Sequence, residues 1–195
     1  MSAVEHSAVR RQADRGPCTV VGVDRTGRVD PDEIMAGVTD DTGIVHLQLA
    51  NHEVGTVHDV ATVAHACRQR DVLCHVDAAA AVGQVAVSFR DLGCGLMSVS
   101  AHKFGGPPGI GALLVRRGLR LDPLLLGGEQ ERARRAGPEN VPAVVGFGAA
   151  AAALDPERLA AESLEATRRT DLLRSGLDAA LDALPGILAD LRSLR

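Results

Sequence analysis

Lys103 stands in the run Ser100-Ala101-His102-Lys103, after the short apolar stretch at residues 96–99 and before the turn Gly105-Gly106-Pro107-Pro108-Gly109. A lysine after a strand is ordinarily a solvated cation. One that is desolvated beside other cationic groups loses proton affinity and becomes the nucleophilic amine that Schiff-base chemistry requires. Ser100 and His102 add a hydroxyl and an imidazole, and the glycines let backbone amides approach an anion, so the run is suited to gripping a phosphate. Its glycine spacing matches neither nucleotide-binding fingerprint. Asp77 closes the run Cys74-His75-Val76. A carboxylate there can cap the next turn, or it can keep a heterocyclic nitrogen protonated so that the ring withdraws electrons from a substrate. His6, His46, His52, His58, His65 and His75 are spread over several elements without a tight ligand triplet, so no metal site is expected.

These groups need a scaffold. Residues 4–14 predict a short helix closed by Gly16-Pro17, and residues 18–23 a strand. Asp30 as cap, Pro31 at the first position and Glu33 three residues after the cap start a helix that ends near Thr39. A strand over residues 44–49 leads into the polar turn Asn51-His52-Glu53-Val54-Gly55. Val60, Val63, Ala64 and Cys67 then recur at helical spacing within residues 58–70. Further strands are expected at residues 72–76, 96–99 and 110–115. This alternation predicts an α/β fold, three-layered, with a mostly parallel sheet. In such sheets ligands sit beyond the carboxyl ends of strands, where Asn51, Asp77 and Lys103 all fall.

Residues 127–140 are expected to form a long loop, whose run Glu131-Arg132-Ala133-Arg134-Arg135 reads as a solvated patch or a small-anion site. A helix over residues 141–152 follows, then a charged, alanine-rich helical region over residues 156–184, broken near Thr170-Asp171 or Gly176. Beyond Pro185-Gly186 one further apolar stretch remains. Residues 1–155 are read as one domain and residues 156–195 as a helical segment leading away from it.

The 195 residues are 46% hydrophobic, enough for a real core, but only Phe89, Phe104 and Phe147 are aromatic, so packing falls to Val, Leu, Ile and Ala. A net charge of −4 with both signs intermixed argues against a nucleic-acid partner. Cys18, Cys67, Cys74 and Cys94 form no CxxC pair and suit reduced thiols. With no secretory segment and no long apolar run, the sequence reads as a cytoplasmic protein without a membrane span.

Five motifs, in order, resemble the cysteine desulfurases, which are class V aminotransferase-like enzymes dependent on pyridoxal 5'-phosphate: Val4-Glu5-His6-Ser7-Ala8-Val9; Asn51-His52-Glu53-Val54-Gly55; His75-Val76-Asp77-Ala78; Ser100-Ala101-His102-Lys103-Phe104-Gly105-Gly106-Pro107; and residues 130–142. The resemblance implies the large domain of fold-type I pyridoxal-phosphate transferases. It gives His6 the role of stacking on the cofactor ring and assisting proton transfer, and Asp77 that of partner to the ring nitrogen. Asn51, Ser100 and His102 become cofactor ligands, and Lys103 the Schiff-base lysine. The implied reaction takes L-cysteine to L-alanine with sulfur passed to an acceptor, and the implied assembly is a homodimer.

The sequence departs from the family at several points. His52 stands where a second asparagine is usual, Ala80 where a glutamine reaches the cofactor, Pro138 where a threonine offers its hydroxyl to the partner's phosphate, and Glu129 and Ala133 where glycines are usual. Complete relatives are roughly twice as long, so the sequence corresponds to a central portion of one, and none of the four cysteines aligns with the persulfide-forming residue. Two alternatives remain open: another lyase or aminotransferase reaction on the same cofactor, and a non-catalytic paralogue kept for dimerisation or scaffolding.

Overall fold

A computed structural model describes residues 1–182, and the apolar stretch beyond Pro185-Gly186 lies outside them. The chain divides into two compact units, one of residues 1–154 and one from Asp155 onward.

The first unit is built on a four-stranded sheet in which the strands lie in chain order. Strands β1 (Ile44–Gln48), β2 (Leu73–Asp77) and β3 (Leu96–Ser100) are parallel, and β4 (Gly111–Val115) runs antiparallel along β3. Helices α1 (Ser7–Ala13), α2 (Pro31–Ala36), α3 (Val60–Gln69), α4 (Phe89–Leu92), α5 (Gln130–Ala133) and α6 (Val141–Ala152) complete it. This is an α/β fold with a mixed, mostly parallel sheet flanked by helices, as the alternating pattern requires.

Period-two alternation divides the sheet into two chemically different faces. Val45, Leu47, Cys74, Val76 and Met97 belong to the buried core, where Val60, Val63, Ala64 and Cys67 of α3 join them. The other face carries His46, His75 and Ser98 in one row across three strands, with His46 Nδ1 3.0 Å from His75 Nδ1 and His75 Nε2 2.8 Å from the Ser98 hydroxyl.

The predicted boundaries hold where a cap fixes them. Asp30 accepts from the N–H of Asp32 at the start of α2, and Asp59 accepts from the N–H of Thr62 at the start of α3. Residues 4–6 stay outside α1, because His6 is its cap.

Three expectations fail. Residues 18–23 do not form a strand: Val21 makes only an isolated parallel bridge to Ser2, and Val20 is exposed, so no ladder exists to propagate. The loop at residues 127–140 contains the helical turn α5, in which Glu131, Arg132 and Ala133 all have positive φ near 55–60° (53°, 59° and 59°). The second unit holds α7 (Pro156–Asp182), which runs unbroken through Thr170-Asp171 and Gly176. One interior glycine costs only about 1 kcal/mol. Against that stand good helix formers and the i,i+3 and i,i+4 pairs Arg158–Glu162, Arg168–Glu165 and Arg169–Glu165.

Cys67, Cys74 and Cys94 are buried free thiols, while Cys18 is exposed. A hydrogen bond with Cys67, and then burial, push the Cys74 thiol up, and burial does the same to Cys94. Among the described residues no helix is long and apolar enough to cross a membrane, and no group of three or more His, Cys, Asp or Glu is placed to hold a metal ion.

Candidate functional site

Parallel pairing places the candidate residues along one edge of the sheet. Asp77 ends β2 beside Gln48 at the end of β1, and it pairs with Ser98 of β3 on the other side. Two residues further along β3, Ser100 leads into a 3₁₀ turn, Ala101–Phe104, that carries His102 and Lys103. Asp77, Ser100, His102 and Lys103 therefore share the carboxyl edge of two adjacent strands.

Asp77 Oδ1 accepts from the Ala79 N–H at 2.9 Å, so the carboxylate does cap the turn after β2. Its second oxygen makes no hydrogen bond among the described residues, leaving it able to face a cationic nitrogen. Ser100 Oγ lies 3.0 Å from His102 Nδ1, joining the two phosphate candidates. His102 and Lys103 are solvent-exposed, and the Lys103 ammonium forms no ion pair among the described residues.

The turn around Lys103 is held from two sides. Gly106 donates its N–H to the Ala101 carbonyl at 2.9 Å, and a Cβ there would lie 2.8 Å from Ala101 Cβ, so only glycine closes the loop this tightly. Gly83, in the turn after β2 at φ +81°, abuts Phe104, and a Cβ would overlap that side chain. Phe104 also packs on Phe147 of α6 with ring centroids 5.6 Å apart.

His6 and Asn51 form a second group. The N–H of Ala8 donates to His6 Nδ1 at 3.1 Å, so the neutral ring carries its proton on Nε2. Asn51 is buried, and its Oδ1 accepts from the N–H groups of Glu53 and Val54 at 2.9 Å each, shaping the polar turn. Asn51 Nδ2 donates to the Val4 carbonyl at 3.3 Å, which draws the segment before His6 onto the sheet edge. The His52 ring meets His6 edge-on with centroids 5.2 Å apart. These residues line a cleft of about 680 Å³ with Arg10, Arg11 and Glu53, and neither Asp77 nor Lys103 is among its walls. The structure thus brings the candidates together in two neighbouring groups, not in one closed cavity.

Reasoning from sequence missed Glu5. It is only 4% exposed, and burial, reinforced by the nearby Asp77 charge, pushes its carboxyl group up to about 7 against the opposing hydrogen bond from Gln48. Its place directly before His6 in the first motif was the available signal. The polar row on the sheet was legible too, since His46, His75 and Ser98 interrupt apolar strands. Burial lowers His46 to about 4, helped by the facing His75, and lowers His75 as well, where Asp77 partly opposes it.

Comparison with known proteins matches residues 1–191 to the aminotransferase class-V family. The chain is 38% identical over 190 residues to the cysteine desulfurase IscS of Methanosarcina thermophila, covering 94% of this chain and 46% of that protein. It resembles the X-ray structure of a NifS-like protein from Rickettsia africae with a TM-score of 0.77 and 28% identity, over 94% of this chain and 51% of the other. It also resembles SspA in complex with cysteine, with a TM-score of 0.74 and 28% identity, over 78% of this chain and 46% of the other. The chain spans about half the length of the curated relatives it matches. By sequence and by fold, it belongs to the aminotransferase class-V family.

Proposed function

We propose that the chain is the cofactor-holding part of a cysteine desulfurase-like enzyme, with residues 1–155 a partial large domain and residues 156–195 leading toward a small one. The observation that carries this reading is the single sheet edge shared by Asp77 and the Ser100–Ala101–His102–Lys103 run. The donor set fits pyridoxal phosphate: a carboxylate with one free oxygen, a hydroxyl and an imidazole in contact, and an amine without an ion-pair partner. When bound, that cofactor supplies an electron sink for reactions at the α-carbon of an amino acid.

Each residue then has a task. Lys103 would offer the amine that holds the cofactor through its aldehyde and would be placed to move a proton beside the substrate. Asp77 Oδ2 would keep the ring nitrogen protonated. Ser100 and His102 donate to the phosphate, and the neighbouring glycine turn keeps backbone amides accessible. His6 would stack on the ring, with Nε2 its proton-carrying atom in the neutral ring, and Asn51 holds the segment it stands on.

The substrate is L-cysteine, the product L-alanine, and the sulfur goes to an acceptor; of the four cysteines, Cys67, Cys74 and Cys94 are buried in the core and Cys18 is exposed. The similarity to SspA solved with cysteine supports that substrate class. A homodimer in the cytoplasm is the proposed working state. The exposure of His102 and Lys103 favours a second reading, the fold retained without the chemistry, because catalysis of this kind needs a dry site.

The test is to add pyridoxal phosphate to the purified chain and record visible absorbance for wild type and Lys103→Ala. A band that depends on Lys103 supports cofactor binding; a band that persists unchanged in the variant removes the lysine from its role. L-Cysteine with a reductant then separates the two readings: alanine and sulfide together support desulfuration, and a lysine-dependent band without either product supports the non-catalytic one.

A further inference from the structure

We propose that Glu5 is a positioning residue, a neutral buried carboxyl group that fixes His6 beside the strand ends carrying Asn51 and Asp77. The inference rests on the role proposed for His6, but its test is read without the cofactor.

The segment before α1 has no strand or helix of its own to locate it. Backbone bonds to Val21 fix residues 1–3, and side chains hold residues 4 and 5. Glu5 Oε1 accepts from the backbone N–H of Gln48 at 2.8 Å, and Gln48 is the register partner of Asp77. The carbonyl of Val4 accepts from Gln48 Nε2 at 2.6 Å and from Asn51 Nδ2 at 3.3 Å. Residues 4 and 5 are thus tied to the carboxyl end of β1 by three hydrogen bonds, and His6 follows immediately as the cap of α1.

The chemical state of Glu5 follows from its surroundings. Its Oε2 is buried and has no hydrogen-bond partner among the described residues. An ionised carboxylate with an orphaned oxygen is far more costly to bury than the neutral acid. Since Oε1 is accepting from Gln48, the proton belongs on Oε2. The charged and titratable groups acting with Glu5 are the Asp77 carboxylate, which opposes a second negative charge, the Met1 ammonium, which favours it, and the Cys74 thiol. Burial and Asp77 prevail. Below about pH 7 Glu5 therefore holds His6 in place without competing with Asp77 as the anionic group at this edge.

The experiment follows the His6 ring by NMR in the isotope-labelled, cofactor-free full chain, with His6→Gln to assign the signal. Glu5→Gln keeps both the acceptor and the neutral state, whereas Glu5→Leu keeps the bulk and removes the tie. At about pH 6 the ring in the Gln variant should keep the wild-type Nε2–H form. In the Leu variant it should move toward a free imidazole, and exchange of the Gln48 amide should quicken by about tenfold. A Leu variant with wild-type His6 signals, or a Gln variant that behaves like Leu, overturns the proposal. If the Leu variant does not fold, the Gln variant decides alone. Its His6 signals should match wild type at about pH 6 and diverge at about pH 8, where wild-type Glu5 has become charged, and any other pattern overturns the role. Because no cofactor is present, this outcome is independent of whether Lys103 takes pyridoxal phosphate.

Discussion

Nδ1 of His46 lies 3.0 Å from Nδ1 of His75, between adjacent parallel strands. One proton can be shared across that gap and two cannot, so the folded row resists acid. Both histidines have lowered affinity for a proton, His46 down to about 4. In the unfolded chain they protonate near pH 6.5, so the stability they contribute is present above about 6.5 and is lost as pH falls toward 4. His46→Gln should flatten this acid limb in thermal melts run between neutral pH and about pH 4. An unchanged slope would show that the row is not responsible.

Glu5 acts in the opposite direction. Its carboxyl group is raised to about 7, so between roughly pH 4.5 and 7 the folded chain holds a proton that the unfolded chain has released. Stability from this group is full below about 4.5 and falls as pH rises to 7. Glu5→Gln removes that slope, and the variant should gain on wild type by roughly 3 kcal/mol across the window. Denaturant melts at the two ends check it, and a difference independent of pH would mean that Glu5 is ionised in the fold.

Gly83→Ala should be among the more damaging small substitutions. It forces a side chain into a position at φ +81° and drives it against Phe104, the neighbour of Lys103. A loss of about 2 kcal/mol or more is expected. The variant should also weaken any Lys103-dependent absorbance at temperatures where it remains folded.

Ala133→Gly should stabilise. Ala133 sits at φ +59° in the α5 turn, a conformation that costs an L-residue with a side chain about 1 kcal/mol and glycine almost nothing. Allowing for the greater freedom of glycine in the unfolded chain, a net gain of roughly 0.5 kcal/mol is expected by denaturant melt. A clear loss would show that Ala133 packs against something its exposure does not suggest.

What could be read from the sequence follows from what is local. Strands β1, β2 and β3 are short apolar runs ending in polar residues, and Asp30 and Asp59 cap α2 and α3, so order and direction were legible. Asp77 and Lys103 fell at the carboxyl edge for the same reason. Residues 18–23 have strand-like composition, but a strand also needs a neighbour, and only Ser2 offers Val21 one bridge. Gly176 looked like a break, yet its cost is small beside the pairs that support α7. The tie from Glu5 to Gln48 spans 43 residues and joins a side chain to a backbone amide, which no periodicity reveals. The left-handed run at Glu131, Arg132 and Ala133 is likewise a product of loop closure and not of residue type.

On the proposed function, Lys103 is the residue that takes pyridoxal phosphate. Incubating the full chain with the cofactor, reducing with borohydride and mapping the modified peptide by mass spectrometry tests it directly. One stably modified lysine is expected, at position 103, and no modification in Lys103→Ala. Since Lys103 is the only lysine in the sequence, a wild-type chain that stays unmodified at saturating cofactor, or a variant labelled elsewhere to the same extent, would contradict it.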